Sequence, residues 1–215
     1  PHFALAEFID NSISSWQQCK DRDPNFPALE VKIRISALGH PVKGTFIRIT
    51  DNAGGITDED LRNRALRIGA APPNKTYLNQ YGAGMKIAAC WFSDVWEIRT
   101  RSLEEGYEKH LQWDTPELMK KGLDLSWDTE EADYHGTEIT LWNPRTLFPN
   151  NSQSVLKNHL SNIYRHFLRD GSLKLIVESD ANRYELKATD TKILEKPFWT
   201  SVGKRPESDS PSILW

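Results

Sequence analysis

The stretch EFIDNS, residues 7–12, lies almost at the start of the chain and brings two carboxylates and an amide close together. Residues three and four apart share one face of a helix, so Glu7, Asp10, Asn11 and Ser14 are predicted to cluster on one side. The opposite side is apolar and is formed by Leu5, Ile9 and Trp16, with Phe8 and Ile13 at its edges. The pattern predicts an amphipathic helix whose polar face is either simply solvated or carries a metal or water site.

The composition around this helix is ordinary for a soluble protein, with 38% hydrophobic and 27% charged residues in 215. That length suits one large domain, or one domain and part of another. No apolar run is long enough to span a bilayer, so we expect no membrane partner. Cys19 and Cys90 form neither a metal pattern nor a disulfide framework, which favours an intracellular, cytoplasmic location, or a nuclear one in a eukaryote. A net charge of −3 does not support a nucleic-acid or chromatin client, although it does not exclude one.

The hydrophobic patterns predict strands and helices in groups. Residues 28–36 alternate with Val31, Ile33 and Ile35 on one face, and residues 44–51 follow as a hairpin partner. A short helix capped by Thr57 or Asp58 and ended by Gly69, a loop over residues 70–80 and a buried helix within 82–92 come next. The remaining predicted elements are strands at 94–100, 107–113 and 136–142, a helix at 154–168, and a hairpin at 173–179 and 183–189. Because the strands do not alternate strictly with helices, we predict an α+β fold, with helices on one face of a mixed, mostly antiparallel sheet.

Asp51 ends the second strand of the first predicted hairpin. By the two-residue period it points the same way as Ile47 and Ile49, toward the core. A carboxylate there requires hydrogen-bond donors, unless it only caps a turn. Gly54 and Gly55 follow, where a flat ligand could approach the backbone closely.

Two further segments carry candidate binding residues. Gly82 and Gly84 precede a helix whose bare amides could attract phosphate, although a helix entry that needs unusual dihedral angles is the simpler explanation of a GxG. Lys86 lies in the first turn of that helix, either beside a bound anion or facing solvent. Thr137, next to Gly136, turns its hydroxyl inward, which in most proteins is a satisfied core threonine.

Taken in order, these motifs resemble the GHKL ATPase superfamily, which includes gyrase B, the large ATP-dependent heat-shock chaperone, MutL and MORC proteins. EFIDNS resembles the N-box, DNAGGI (residues 51–56) the first glycine box, YGAGMK (81–86) the second, and HGTEI (135–139) the last motif. The resemblance covers residues 1–143 and is nearest to MORC-like members in EFIDNS and YGAGMK. It implies a two-layer α/β sandwich of the Bergerat type.

The resemblance also implies cofactors, ATP and Mg²⁺, and a role for each matching residue. Glu7 would be the general base for the attacking water, and Asn11 would hold Mg²⁺. Asp51 would accept from the adenine amino group, with Thr137 in support. The other implied nucleotide contacts are Gly55, Ile56, Lys75, Gly82, Ala83, Gly84, Met85 and Lys86, the lid being residues 69–84.

The chain departs from the family pattern in three places. Ala53 stands where the family usually has the first glycine of its box, so we expect a slightly displaced loop on the adenine side. Lys75 matches the lid lysine only loosely, beside Pro72 and Pro73. Neither the lysine for the γ-phosphate nor a role for Asp10 can be identified.

These implications define the expected function. Residues 1–150 would form an N-terminally truncated ATP-binding domain, and residues 151–215 a linking helix and the start of a transducer-like second domain. The chain would hydrolyse ATP, and its nucleotide state would gate homodimerisation of the full-length protein or a conformational switch. This chain alone would be mainly monomeric and would hydrolyse ATP slowly. The alternatives are a nucleotide-binding module that hydrolyses little and acts through a partner, and a histidine-kinase catalytic domain, which Glu7 argues against.

Overall fold

The fold was obtained as a computed structural model, which describes residues 2–40, 42–65, 84–121, 126–148 and 150–189. Its first half consists of α1 (His2–Arg22), β1 (Leu29–His40), β2 (Gly44–Asp51), α2 (Asp58–Asp60), a π-helical turn (Leu61–Ala65) and α3 (Gly84–Phe92). The second half consists of β3 (Val95–Arg101), β4 (Tyr107–Asp114), α4 (Thr115–Lys121), β5 (Asp128–Glu131), β6 (Gly136–Trp142), α5 (Asn150–Ile163), α6 (Arg165–Arg169), β7 (Leu173–Ser179) and β8 (Arg183–Glu185).

The strands form one eight-stranded sheet in the order β5-β4-β3-β6-β2-β1-β7-β8. Among the described strands, β1 and β7 are the single parallel pair. Asp51 of β2 stands opposite Thr137 of β6, so the register brings the ends of two predicted motifs side by side. The predicted α+β fold with a mixed, mostly antiparallel sheet is confirmed.

The core lies between one face of this sheet and the helices. Helices α1, α3 and α5 contribute side chains to one continuous cluster with the alternate residues of the central strands, among them Phe8, Phe92, Leu160, Ile33, Ile47 and Leu141. Burying a side chain of this kind stabilises the fold by about 1.5–3 kcal/mol relative to exposure. The opposite face of the sheet carries charged pairs such as Arg99–Glu108 and Lys43–Glu97. The helix layer therefore fixes α1, with its EFIDNS segment, against the end of β2.

Two predicted helices differ from the observed ones. The described part of the helix expected over 58–69 is a single α-helical turn, in which Thr57 Oγ1 accepts from the Asp60 N–H at 3.1 Å, followed by the π-helical turn up to Ala65. The helix expected over 154–168 divides into α5 and α6 at Tyr164, whose φ and ψ are −97° and 16°. The predicted end at Gly69 and the predicted loop over 70–80 lie outside the described residues.

Two elements were not predicted. Strand β5 has the sequence DTEE, is exposed at all four positions and pairs only as an edge, so no alternation of hydrophobicity marks it. Helix α4 begins directly at the end of β4, where Asp114 Oδ1 accepts from the Glu117 N–H at 3.1 Å. Both elements depend on β4 rather than on a pattern of their own.

Residues 150–189 pack against the sheet and the helix layer formed by the preceding residues. Helix α5 contacts α1, and β7 extends the sheet beyond β1. The predicted second domain over 151–215 stays a prediction, because residues 190–215 lie outside the described residues. No helix within the described ranges combines the length and the apolarity needed to cross a lipid bilayer.

Candidate functional site

Asp51 is held at the end of β2 by three hydrogen bonds. Its Oδ2 accepts from Ser12 Oγ at 2.6 Å, and its Oδ1 accepts from the N–H groups of Ala53 at 3.0 Å and Thr137 at 3.1 Å. Burial raises the pKa of Asp51, and these hydrogen bonds to the charged form partly oppose that rise. The side chain faces inward, as the two-residue period of β2 predicts.

Ser12 is a site residue that the sequence reasoning missed. It is buried on α1, where its hydroxyl lies 3.2 Å from the carbonyl oxygen of Phe8 and donates to Asp51. A serine between apolar positions of an amphipathic helix is a signal that could have identified it, because a buried hydroxyl needs a partner. Ser14 was expected on the polar face and is buried as well, so that face is narrower than predicted.

Thr137 belongs to a network centred on Thr100 of β3. The two hydroxyl oxygens lie 3.1 Å apart. Thr100 Oγ1 also donates to the carbonyl of Gly136 at 3.1 Å and accepts from the Ile56 N–H at 2.9 Å. Thr100 is fully buried. Through these hydrogen bonds it connects the segment after Asp51 to the start of β6. Its only signal in the sequence is an inward position in a strand.

Gly55 has a conformational reason to be glycine. Its φ is +68°, and a methyl group there would collide with the backbone carbonyl of Arg101. This close contact explains why glycine is required at position 55 even without a ligand, so the predicted role of Gly55 beside the adenine stays a prediction.

A cleft opens next to Asp51. It contains about 400 Å³ of space between protein atoms, part of which is open to solvent. Its lining combines polar and apolar side chains: Phe8, Asn11, Ser12, Ser15, Ile49, Asp51, Gly55, Ile56, Met85, Thr137 and Ile139. Six residues predicted from sequence thus share one cleft: Asn11, Asp51, Gly55, Ile56, Met85 and Thr137.

Glu7 lies beside this cleft, one helical turn before Asn11. Its side chain is exposed, and a methyl group added at Gly84 would collide with its carboxylate. Helix α3 therefore starts directly against Glu7, and glycine at 84 leaves room for that side chain. Glu7 and Gly84 of the second glycine box are neighbours in space although 77 positions separate them.

Asn11 has the donor chemistry for a hard cation. Its Nδ2 donates to the carbonyl of Glu7 at 2.8 Å, which leaves the amide oxygen as its acceptor. Within the described ranges, no group of three His, Cys, Asp or Glu side chains could hold a metal. The residues fit Mg²⁺, which takes oxygen ligands and usually keeps several waters beside one or two protein groups and substrate phosphates.

Two charged groups near the site are buried more than the sequence suggested. Lys86 is 5% exposed, so the alternative of a solvent-facing lysine is wrong, and burial lowers its pKa. Burial raises the pKa of Asp10, whose Oδ1 accepts from Tyr164 Oη at 2.8 Å. The predicted lid residues Lys75, Gly82 and Ala83 lie outside the described residues.

Comparison with known proteins adds a family and a fold. The family described as histidine kinase-, DNA gyrase B-, and HSP90-like ATPase matches residues 1–145. No curated protein sequence matches the chain. Among solved structures, the chain is similar to the Aquifex aeolicus MutL ATPase domain complexed with ADP, with a TM-score of 0.54 at 16% identity, covering 88% of this chain and 64% of that one.

A second similar structure is the ATPase region of Saccharomyces cerevisiae topoisomerase II bound to ICRF-187 (dexrazoxane). Its TM-score is 0.56 at 15% identity, and the match covers 87% of this chain and 49% of that one. The chain thus spans about two thirds and half of the lengths of these two proteins. At such low identity the likeness shows the shared fold alone.

Proposed function

This chain belongs to the histidine kinase-, DNA gyrase B-, and HSP90-like ATPase family, and from that premise we propose that it binds ATP with Mg²⁺ and hydrolyses it to ADP and phosphate. One observation carries the proposal: the buried edge of the cleft holds the Asp51 carboxylate, while the adjacent helix α1 presents Asn11 in the cleft and Glu7 beside it. A base-recognition group and a hydrolysis group thus stand at one site.

Asp51 is prepared to recognise an adenine. Its two oxygens already accept from Ser12, Ala53 and Thr137, which fixes the plane of the carboxylate. A carboxylate has about four acceptor positions, so one remains for the amino group of the base. Thr137 supports the same contact, with its hydroxyl held by Thr100.

Glu7 supplies the base for hydrolysis. A water oxygen attacks the γ-phosphorus, its proton passes to a Glu7 carboxylate oxygen, and the bond between the γ-phosphorus and the bridging oxygen of ADP breaks. Bound Mg²⁺ would neutralise charge on the phosphates. Asn11 would hold that ion through its amide oxygen, and the exposed Glu7 carboxylate is open to water. Gly84 and Met85, with the lid residues of the second glycine box, would line the phosphates.

Several finer proposals rest on the motif resemblance. We infer that the nucleotide state gates homodimerisation or a conformational switch, and that the chain is a MORC-like member of the family. EFIDNS and YGAGMK support the MORC-like assignment. An intracellular location is supported by two free cysteines within 215 residues.

Glu7→Gln tests hydrolysis separately from binding. Glutamine keeps the size and the helix but cannot take a proton, so phosphate release should fall by about 10²–10⁴-fold. Calorimetric affinity for Mg-ATP should change little. Glu130→Gln, on the exposed strand β5, is the matched control and should behave as the wild type.

The outcomes separate the two candidate functions. Hydrolysis by the wild type that disappears in Glu7→Gln supports an ATPase. Tight ATP binding without hydrolysis by the wild type would instead favour the nucleotide-binding module that acts through a partner. Equal hydrolysis in both variants and the wild type would remove Glu7 from the mechanism.

A further inference from the structure

We propose that Tyr164 is a positioning residue for hydrolysis, which acts through Asp10 to brace the turn of α1 that carries Glu7. The inference rests on the proposed ATPase function. It also answers why the EFIDNS segment carries a second carboxylate, since Asp10 is not among the residues that line the cleft.

The contact joins two distant parts of the chain. Tyr164 Oη lies 2.8 Å from Asp10 Oδ1 and 3.0 Å from the carbonyl oxygen of Ala6, with 154 and 158 positions between the partners. The tyrosine is 2% exposed, so its hydroxyl has little access to water as a substitute partner. If Asp10 is lost, the single hydroxyl proton can bond only to the Ala6 carbonyl. If the hydroxyl is lost, the Asp10 carboxylate loses this donor.

The contact spans one turn of helix. In an α-helix the carbonyl of Ala6 accepts from the N–H of Asp10, so the tyrosine hydroxyl touches both ends of one turn. Glu7 lies inside that turn, and Asn11 follows it and donates to the Glu7 carbonyl at 2.8 Å. Tyr164 therefore braces the segment from which the general base and the metal-holding amide both project.

Tyr164 is itself fixed at the junction of α5 and α6. Its N–H donates to the carbonyl of Leu160, and its carbonyl accepts from the N–H of Leu168, each at 3.0 Å. Helix α6 leads into β7, which pairs in parallel with β1. The position of the hydroxyl is thus set by the sheet and by α5, and a shift of this junction would be transmitted to the Glu7 turn.

Four variants of the full chain test the inference. Tyr164→Phe removes only the hydroxyl, and Asp10→Ala removes its acceptor. Asp10→Asn keeps an oxygen in the same place and should restore near-wild-type behaviour. Tyr184→Phe, on the exposed strand β8, is the matched control for loss of a tyrosine hydroxyl.

The expected result is a split between turnover and binding. Because misplacing a catalytic group by about 1 Å can cost up to about 10²-fold, kcat should fall at least about threefold in Tyr164→Phe and in Asp10→Ala. Affinity for a non-hydrolysable ATP analogue should change by less than about twofold, since the Asp51 contacts are untouched. The double variant should be no slower than either single one, because both remove the same contact.

Hydrogen exchange gives a readout that does not depend on activity. Amides of residues 7–11 should exchange faster in Tyr164→Phe than in Tyr184→Phe, since the brace on that turn is lost. If the wild type hydrolyses ATP and both Tyr164→Phe and Asp10→Ala keep its kcat, this inference is overturned while the proposed ATPase function stands. Absence of hydrolysis in the wild type would overturn the proposed ATPase function and this inference with it.

Discussion

Replacing Asp51 with asparagine should separate adenine recognition from folding. In the variant, Oδ1 can keep its hydrogen bonds from the N–H groups of Ala53 and Thr137. The new amide nitrogen would replace Oδ2 beside Ser12. The Ser12 hydroxyl can rotate to donate to the carbonyl of Phe8, 3.2 Å away, and its oxygen can then accept from the amide. The native contacts therefore permit only one orientation of the amide, with its nitrogen where the carboxylate oxygen was.

That orientation sets the size of the effect on binding. The adenine amino group would meet an N–H donor instead of an ionised acceptor. A hydrogen bond to a charged group contributes about 1.5–3 kcal/mol, and each 1.4 kcal/mol is a factor of ten in Kd, so ATP should bind roughly 10- to 150-fold more weakly. GTP should lose less or gain, because guanine presents a carbonyl oxygen where adenine has its amino group.

The free energy of unfolding, unlike the affinity for ATP, should not fall in Asp51→Asn. Burial raises the folded-state pKa of Asp51 above its ordinary value of 3.8. A carboxyl with a raised pKa favours the folded state when protonated, so its contribution is complete below pH 3.8 and is lost as the pH rises through the folded pKa. Asparagine does not titrate, so the variant should lose less stability over this window and be at least as stable as the wild type at pH 7.

Calorimetric titration with ATP and with GTP measures the first effect, and thermal unfolding from pH 3.5 to 7 measures the second. Asp128→Asn, on the exposed strand β5, is the matched control. Unchanged ATP affinity in a folded Asp51→Asn protein would refute the reasoning about adenine recognition. A steeper loss of stability with pH in the variant would refute the reasoning about burial.

Three further variants test other parts of the cleft. Asn11→Ala should weaken Mg-ATP binding at least tenfold but leave Mg-free nucleotide binding nearly unchanged, because it removes the amide oxygen proposed for the metal; equal losses with and without Mg²⁺ in titrations would contradict this. Gly84→Ala should lower phosphate release by about tenfold at unchanged thermal stability, since the methyl group displaces the Glu7 carboxylate, and wild-type turnover would show that Glu7 adapts freely. Thr100→Val should lower the free energy of unfolding by about 1–3 kcal/mol in denaturant titrations and weaken ATP binding, because the Ile56 N–H loses its acceptor; Thr100→Ser should restore both, and failure of serine to do so would assign the effect to packing.

Much of the architecture was readable from local pattern. The patterns of residues 28–36 and 44–51 predicted the β1–β2 hairpin and the inward direction of Asp51, both of which the structure shows. The apolar stripe of EFIDNS and its flanks predicted α1. Periodicity succeeds here because backbone geometry repeats every 2 or 3.6 residues, so the residues of a buried face recur at that interval along the sequence.

The order of four short motifs carried the functional prediction further than any one of them. Each motif alone has an ordinary structural explanation, and the glycine at 55 indeed has one in the Arg101 backbone. Their order along the chain, from residue 7 to residue 139, points to the family that matches residues 1–145. The roles of the individual residues stay predictions for the experiments above.

What only the tertiary structure decided concerns the partners of polar side chains. Ser12 donates to Asp51 across 39 positions, Thr100 meets Thr137 across 37, and Tyr164 reaches Asp10 across 154. The break between α5 and α6 falls at that same tyrosine, inside a run with unbroken helical spacing. A hydrogen bond requires two atoms within about 3 Å, and whether two distant residues meet that condition depends on strand register and helix packing. Local pattern shows that a polar residue faces inward, but only the assembled sheet and helix layer determine what it meets there.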